Sequence, residues 1–212
     1  MRLFLSSYRF GQHADRLLAL VGKPGPVAVI ANAADSWPRS ARESTVTSDI
    51  APLRRLGFTP SELDLRDFVG TPDALRTALS KFPLVWVRGG NTFVLRAQFA
   101  RSGADVVLPE LVKSGALTYA GYSAGACVMT PSLQGIELFD DPAEVAPTCG
   151  IDARWDGLGL VDHAILPHWD SPMGDSALSQ RAIECFEIAE MSYWTLTDDQ
   201  AIVVDGERVE RL

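Results

Sequence analysis

The residues best suited to catalysis lie in segment 121–125, which reads Gly-Tyr-Ser-Ala-Gly and places Ser123 between two glycines. An apolar run precedes this segment, and a helix-compatible run follows it. A serine between glycines at a strand-to-helix turn is typical of a nucleophile elbow, where a tight backbone lifts the serine oxygen above the sheet. The first amides of the following helix point at the same place. The pattern favours Ser123 as a nucleophile, and a glycine-rich turn with an incidental serine is the alternative.

A serine hydroxyl is a weak nucleophile and needs a base within hydrogen-bonding distance. The chain contains three histidines. His13 lies on a predicted helix and is expected at the surface, and His163 lies inside the predicted strand 161–166, where packing or hydrogen bonding is expected. His168 follows the end of that strand, where a base is needed. We therefore predict that His168 is the general base.

A carboxylate must orient this base and stabilise its protonated form. The candidates in the sequence are Asp162, Asp170, Asp198, Asp199 and, more remotely, Glu137, Asp140 and Asp141. Asp170 is too near His168 in the chain to reach its ring comfortably if the loop is extended. Asp198 follows the strand-like run 193–197, so we prefer it, with Asp199 second. The alternative for an Asp-Asp pair is a solvated turn.

Acyl transfer also requires two hydrogen-bond donors for the oxyanion of the tetrahedral intermediate. The amide of Ala124, the residue after the nucleophile, is one candidate. Gly89 and Gly90 can supply the second, because glycine allows the main chain to approach a ligand closely. A tight strand-to-helix turn is the alternative interpretation of this glycine pair.

Apolar strand-like runs alternate with helix-like segments along the chain. Strands are predicted at 2–6, 26–33, 58–65, 84–87, 117–120, 161–166, 193–197, 201–204 and 207–212, and helices at 12–21, 39–56, 71–80, 93–101, 105–113 and 176–189. The alternation predicts an α/β three-layer sandwich, with a mostly parallel sheet and helices on both faces. Loops 89–91, 121–123 and 167–168 follow strands, and functional sites gather at the carboxyl ends of such strands.

Composition limits the classes of function. The 212 residues suit one domain, here taken as 1–212, and the net charge of −8 argues against nucleic acid or an anionic membrane as partner. Cys127, Cys149 and Cys185 show neither a disulfide framework nor a zinc pattern, so we expect reduced thiols and neither metal nor cofactor. The apolar stretch near residue 1 is too short for a signal peptide, and no run reaches the ~18 apolar residues of a membrane span. A cytoplasmic location is expected.

Four segments together resemble the peptidase E (dipeptidase E) family of serine exopeptidases. They are VRGGNTF at 87–93, GYSAGA at 121–126, PHWD at 167–170 and LTDDQAI at 196–202. The serine motif alone is common, but the first two segments in this order are much more specific. The similarity extends from Arg2 almost to the end of the chain. It implies a fold like that of the class I glutamine amidotransferases, with serine instead of cysteine at the elbow.

The resemblance also implies roles for individual residues. It implies Ser123 as nucleophile and His168 as general base. It implies Gly90 and Ala124 as the oxyanion-hole amides. The third catalytic position, a glutamate in the best-known relatives, is matched here by Asp198.

Substrate-binding residues are implied less directly. Segment 140–142 resembles a stretch near the site in some relatives, and we take Asp141 as the candidate ligand for the substrate's amino group. The aspartate-specific members carry an arginine where this chain has Leu178. Arg181, three residues further on, is the candidate replacement. A buried acidic side chain needs a charge partner, so a preference for N-terminal aspartate stays open.

These patterns predict a serine exopeptidase that acts on dipeptides or short peptides through an acyl-enzyme, as a monomer or small homo-oligomer. An esterase of the α/β-hydrolase kind is the first alternative. Such enzymes have the chain order serine, acid, histidine. No histidine follows Asp198 or Asp199 here, so the acid would have to precede His168, as Asp141 or Asp162 does. A non-catalytic sensor on the same scaffold is the second alternative.

Overall fold

A seven-stranded sheet forms the centre of the computed structural model, which describes residues 1–212. The strands of the protein are β1 Arg2–Ser6, β2 Pro26–Ile30, β3 Thr59–Glu62, β4 Leu84–Val87, β5 Thr118–Tyr122, β6 Ala164–Leu166, β7 Tyr193–Thr195, β8 Ala201–Asp205 and β9 Arg208–Arg211. The order across the central sheet is β3-β2-β4-β5-β1-β8-β9. The first five of these are parallel, and β8 and β9 continue the sheet with antiparallel pairings. Strands β6 and β7 form a separate parallel pair.

Helices cover both faces of the sheet. They are α1 Ala14–Val21, α2 Arg39–Arg55, α3 Pro72–Leu79, α4 Thr92–Ser102, α5 Ala104–Lys113, α6 Ala124–Cys127, α7 Val145–Cys149 and α8 Ser176–Ile188. Side chains of α1 and α2 pack on one face of the central sheet, together with Phe4 and Trp86. Side chains of α3, α4 and α5 pack on the other face, together with Leu3 and Leu5. The alternation of Leu3, Phe4 and Leu5 between the two cores is the two-residue period of a strand.

Strand composition explains why the sheet is buried on both sides. All four residues of β4, Leu-Val-Trp-Val, are buried, as are four of the five residues of β2. Continuous apolar runs of this kind are typical of central parallel strands, because both of their faces contact helices. The predicted α/β class, with a mostly parallel sheet and helices on both faces, is therefore confirmed.

Five strands are shorter than the sequence predicts, namely those at 26–33, 58–65, 161–166, 193–197 and 207–212. The run 161–166 is a strand only over Ala164–Leu166, and it pairs with β7 rather than with the central sheet. Its apolar side chains, Ala164 and Leu166, pack against Ile183 and Phe186 of α8 in a third core. Packing against α8 thus holds this pair of strands apart from the main sheet. None of the helices is long and apolar enough to cross a membrane.

A buried ionic cluster fixes the turn that follows β2. Arg42 of α2 donates to Asp35 at 2.6 Å and to Asp64 at 3.0 Å, and Asn32 donates to Asp64 at 2.9 Å. Burial alone would raise the pKa of Asp64, but hydrogen bonds from Arg66 and Asn32 outweigh it and lower this pKa to about 2. The cluster therefore holds the turn at residues 32–34 in place, and Ala33 of this turn contacts Gly90.

Candidate active site

Ser123 occupies the sharp turn between β5 and α6. Its backbone angles are φ 51° and ψ −117°, a strained conformation for a residue with a side chain. Gly125, on the helix side of Ser123, has no room for a side chain, because a Cβ atom there would lie 2.3 Å from the carbonyl oxygen of Val87. The Ser123 amide donates to the carbonyl of Ser6 at 3.1 Å, which ties the turn to β1. This is the nucleophile-elbow geometry that the sequence predicts.

The structure brings His168 and Asp198 to this serine. The Nε2 atom of His168 lies 3.2 Å from Oγ of Ser123, and its Nδ1 atom lies 2.5 Å from Oδ1 of Asp198. Both side chains are largely buried, with exposed fractions of 18% and 23%. The pairing of β6 with β7 explains why they meet, since Leu166 lies opposite Thr195 and both strands run in the same direction. The loops after these two strands therefore leave from the same end.

The other histidines, and the carboxylates of Asp162, Asp170 and Asp199, contact neither Ser123 nor His168. His163 stacks on Trp194 with ring centroids 4.1 Å apart, and its Nδ1 lies 2.6 Å from Asp162. His13 sits at the start of α1. Asp199 accepts a hydrogen bond from Thr197, and Asp170 is exposed. Of the predicted acids, Asp198 is the one that contacts His168.

Ser7 is a site residue that sequence reasoning missed. It follows β1, the neighbour of β5 in the sheet, and is completely buried. Its hydroxyl accepts the backbone N–H of His168 at 2.7 Å and donates to Oδ1 of Asp198 at 3.2 Å. The same hydroxyl lies 3.5 Å from Nδ1 of His168. Ser7 therefore holds the base and its carboxylate partner together.

The predicted oxyanion-hole amides belong to Ala124, which follows Ser123 in the chain, and to Gly90, whose neighbour Gly89 lies against Ser123. Neither Gly90 nor Ala124 donates its N–H to an acceptor within the protein. A Cβ atom at Gly89 would lie 3.3 Å from Oγ of Ser123, so the main chain passes directly beside the hydroxyl. Gly90 has φ +148°, and a Cβ atom there would lie 2.5 Å from the carbonyl oxygen of Ala33. These glycines allow a close approach that larger residues would block.

A cavity of about 330 Å³ opens beside Ser123 and His168. Asp140 lines it, and its Oδ2 accepts hydrogen bonds from the N–H of Thr92 at 2.9 Å and from its hydroxyl at 2.6 Å. Burial raises the pKa of Asp140, and the bonds from Thr92 offset part of this rise. Cys127 also contacts the cavity, but burial raises the pKa of its thiol strongly, so it is not an activated nucleophile.

The structure places neither tentative substrate ligand in this cavity. Asp141 is exposed, and its carboxylate accepts the N–H of Ala143 at the start of a short 3₁₀ turn. Its neighbour Asp140 faces the cavity instead. Arg181 is exposed on α8, whose buried face carries Ser179, Ala182, Ile183 and Phe186. At about 100° per residue, Arg181 lies nearly opposite the centre of that face, whereas Leu178 lies at its edge and lines the cavity.

Comparisons with known proteins agree with this architecture. A family profile described as Peptidase family S51 matches residues 12–212. An uncharacterized peptidase of Listeria innocua is 31% identical over 74% of this chain and 71% of its own length. A peptidase E of Streptomyces coelicolor is 31% identical over 63% of this chain and 56% of its own length. A crystal structure described as a candidate peptidase E of Listeria monocytogenes matches with a TM-score of 0.81 and 25% identity, covering 100% of this chain and 97% of the other.

Fold and comparisons together define the class of the protein, a serine-type peptidase built on an α/β scaffold. The chain belongs to peptidase family S51. The resemblance to peptidase E that the sequence motifs indicate is therefore confirmed, as is the prediction of a hydrolytic enzyme.

Proposed function

We propose that this protein is a serine exopeptidase that removes the N-terminal residue from dipeptides or short peptides. The hydrogen-bond contacts that link Ser123, His168 and Asp198 carry this proposal. Nε2 of His168 lies 3.2 Å from Oγ of Ser123, and its Nδ1 lies 2.5 Å from Oδ1 of Asp198. These contacts allow the Ser123 hydroxyl to pass its proton to His168 as it attacks. Asp198 then stabilises the protonated imidazole.

Acylation follows from these positions. Oγ of Ser123 attacks the carbonyl carbon of the first peptide bond while its proton passes to Nε2 of His168. The amides of Gly90 and Ala124 are the donors for the resulting oxyanion, which is supported by their lack of acceptors within the protein. The intermediate collapses when His168 gives its proton to the leaving amine, which departs and leaves the acyl group on Ser123.

Deacylation uses the same groups in reverse. His168 takes a proton from a water molecule, the hydroxide attacks the acyl carbon, and the Ser123 oxygen leaves with the proton returned by His168. Asp198 keeps the other ring nitrogen protonated and fixes the tautomer throughout. Asp198 thus orients the ring and stabilises its protonated form without taking the proton itself.

The Asp140 carboxylate supports cleavage at the N-terminus rather than inside a chain. It lines the same cavity as Ser123 and His168, and its Oδ1 has no donor within the protein. A free α-ammonium group is the natural partner for a partly buried carboxylate with an open oxygen. A peptide that continued in the N-terminal direction would bring a neutral amide to this position instead.

Hydrolysis of unblocked and N-acetylated dipeptides tests the proposal. We expect Ser123→Ala to abolish release of the second residue while circular dichroism stays unchanged. Ser114→Ala is the matched control, because Ser114 is exposed at the end of α5, before β5 begins. N-acetylation should remove most of the wild-type activity. Full activity in Ser123→Ala would refute the serine mechanism, and equal rates on acetylated peptides or simple esters would favour a general acyl hydrolase.

A further inference from the structure

The cavity beside Ser123 has a mainly apolar wall. Its large apolar side chains are Ile136, Leu138, Phe139, Met173 and Leu178. Phe139 and Met173 are 39% and 59% exposed, so part of this apolar wall is open to solvent. Exposed apolar surface of this kind marks a place where an apolar group binds.

The charges of the cavity are negative. Neither lysine nor arginine is among its lining residues, whereas Asp140 and Asp175 are. Asp175 is engaged by the fold, because its Oδ1 accepts the N–H groups of Ala177 at 2.9 Å and Leu178 at 3.0 Å. Oδ2 of Asp140 accepts both hydrogen bonds from Thr92, and its Oδ1 accepts none within the protein. Asp140 therefore offers a free carboxylate oxygen to a cation beside the apolar wall.

We propose, on the basis of the exopeptidase function above, that this cavity selects N-terminal residues with a large apolar side chain, such as methionine or leucine. The α-ammonium group pairs with Asp140, and the side chain lies against Leu138, Met173 and Leu178. An N-terminal aspartate or glutamate is a poor substrate.

Electrostatics and burial both lead to this selectivity. An acidic substrate side chain would add a third carboxylate to a cavity that already holds two and offers no cation to pair with it. An apolar side chain instead removes its own surface and that of Met173 and Leu178 from water. Full burial of a leucine-sized side chain corresponds to a gain of roughly 10- to 100-fold in kcat/KM over alanine.

A panel of dipeptides that differ only in the first residue tests this selectivity. The peptides are Leu-Gly, Met-Gly, Ala-Gly, Asp-Gly and Lys-Gly, and the readout is kcat/KM from glycine released, with Ser123→Ala as the background. We expect Leu-Gly and Met-Gly to exceed Ala-Gly by roughly 10- to 100-fold and Asp-Gly to fall at least about 10-fold below Ala-Gly. Highest activity on Asp-Gly or Lys-Gly, or equal activity on all five, would overturn the inference.

A cavity variant and a surface variant of α8 make the test sharper. Leu178→Arg adds a cation to the cavity wall and should raise the Asp-Gly to Leu-Gly ratio at least about 10-fold. Arg181→Ala, the matched control three residues away, should leave the ratio unchanged. An unchanged ratio in folded Leu178→Arg would contradict the claim that Leu178 contacts the first side chain of the substrate. If hydrolysis depends on Ser123 but favours Asp-Gly or Lys-Gly, this inference alone is refuted. If no peptide is hydrolysed in a Ser123-dependent way, the exopeptidase proposal is refuted as well.

Discussion

Removal of the Ser7 hydroxyl should slow catalysis more than it disturbs the fold. This hydroxyl accepts the backbone N–H of His168 at 2.7 Å and donates to Asp198 at 3.2 Å. In Ser7→Ala the buried N–H loses its acceptor, which costs about 1–3 kcal/mol in free energy of unfolding. His168 and Asp198 also lose the hydroxyl that hydrogen-bonds to both of them. A displacement of the base by about 1 Å lowers the rate roughly 100-fold. We expect kcat to fall about 10- to 100-fold with little change in KM.

Two further variants separate positioning from stability. Ser102 is an equally buried serine, whose hydroxyl donates to the carbonyl of Gln98 in α4. Ser102→Ala should lose stability in urea unfolding but keep its kcat. Ser7→Thr retains the hydroxyl while crowding a filled site, so it should lose about 1–3 kcal/mol of stability and yet recover most of the rate. A kcat of Ser7→Ala within twofold of wild type, or a folded Ser7→Thr as slow as Ser7→Ala, would contradict a positioning role for the Ser7 hydroxyl.

Two other perturbations have defined outcomes. Gly90→Ala should lower stability by at least about 1 kcal/mol and kcat by roughly 10- to 100-fold, because its Cβ would lie 2.5 Å from the Ala33 oxygen and shift an oxyanion donor. Gly115→Ala, with φ +77° and open space around it, should lose stability without losing kcat. Asp64→Asn should lower stability by about 2 kcal/mol at neutral pH, because the folded-state pKa of Asp64 is about 2 against 3.8 ordinarily. This stabilisation is present above about pH 4 and disappears as the pH falls towards 2, so urea unfolding of both proteins should converge there; a constant difference at every pH would contradict it.

Much of the site could be inferred from the sequence because its parts are local. The glycines around Ser123 mark the elbow through the backbone conformation they permit, and Gly125 has no room for a side chain. With three histidines in the chain, position relative to a strand end was enough to select His168. The same criterion favours Asp198, and the parallel pairing of β6 with β7 is the physical reason that its side chain lies beside that of His168.

The missed and misplaced residues depend on tertiary packing. Ser7 becomes part of the site because β1 lies next to β5, and strand order cannot be deduced from the apolar pattern of either strand. Asp140 and Asp141 are adjacent and of one residue type, so only the turn of the backbone decides which faces the cavity. Arg181 was assigned by its distance along α8, but the rotation of the helix about its axis directs it to solvent.

Reaction with a serine-directed fluorophosphonate, mapped by mass spectrometry on the folded protein, tests whether Ser123 is the nucleophile. We expect one adduct, on Ser123, that forms at least about 100-fold more slowly in His168→Ala, because the imidazole 3.2 Å away takes the hydroxyl proton. Labelling of Ser123 at the same rate in both proteins, or no labelling of Ser123 in a preparation that cleaves dipeptides, would contradict it.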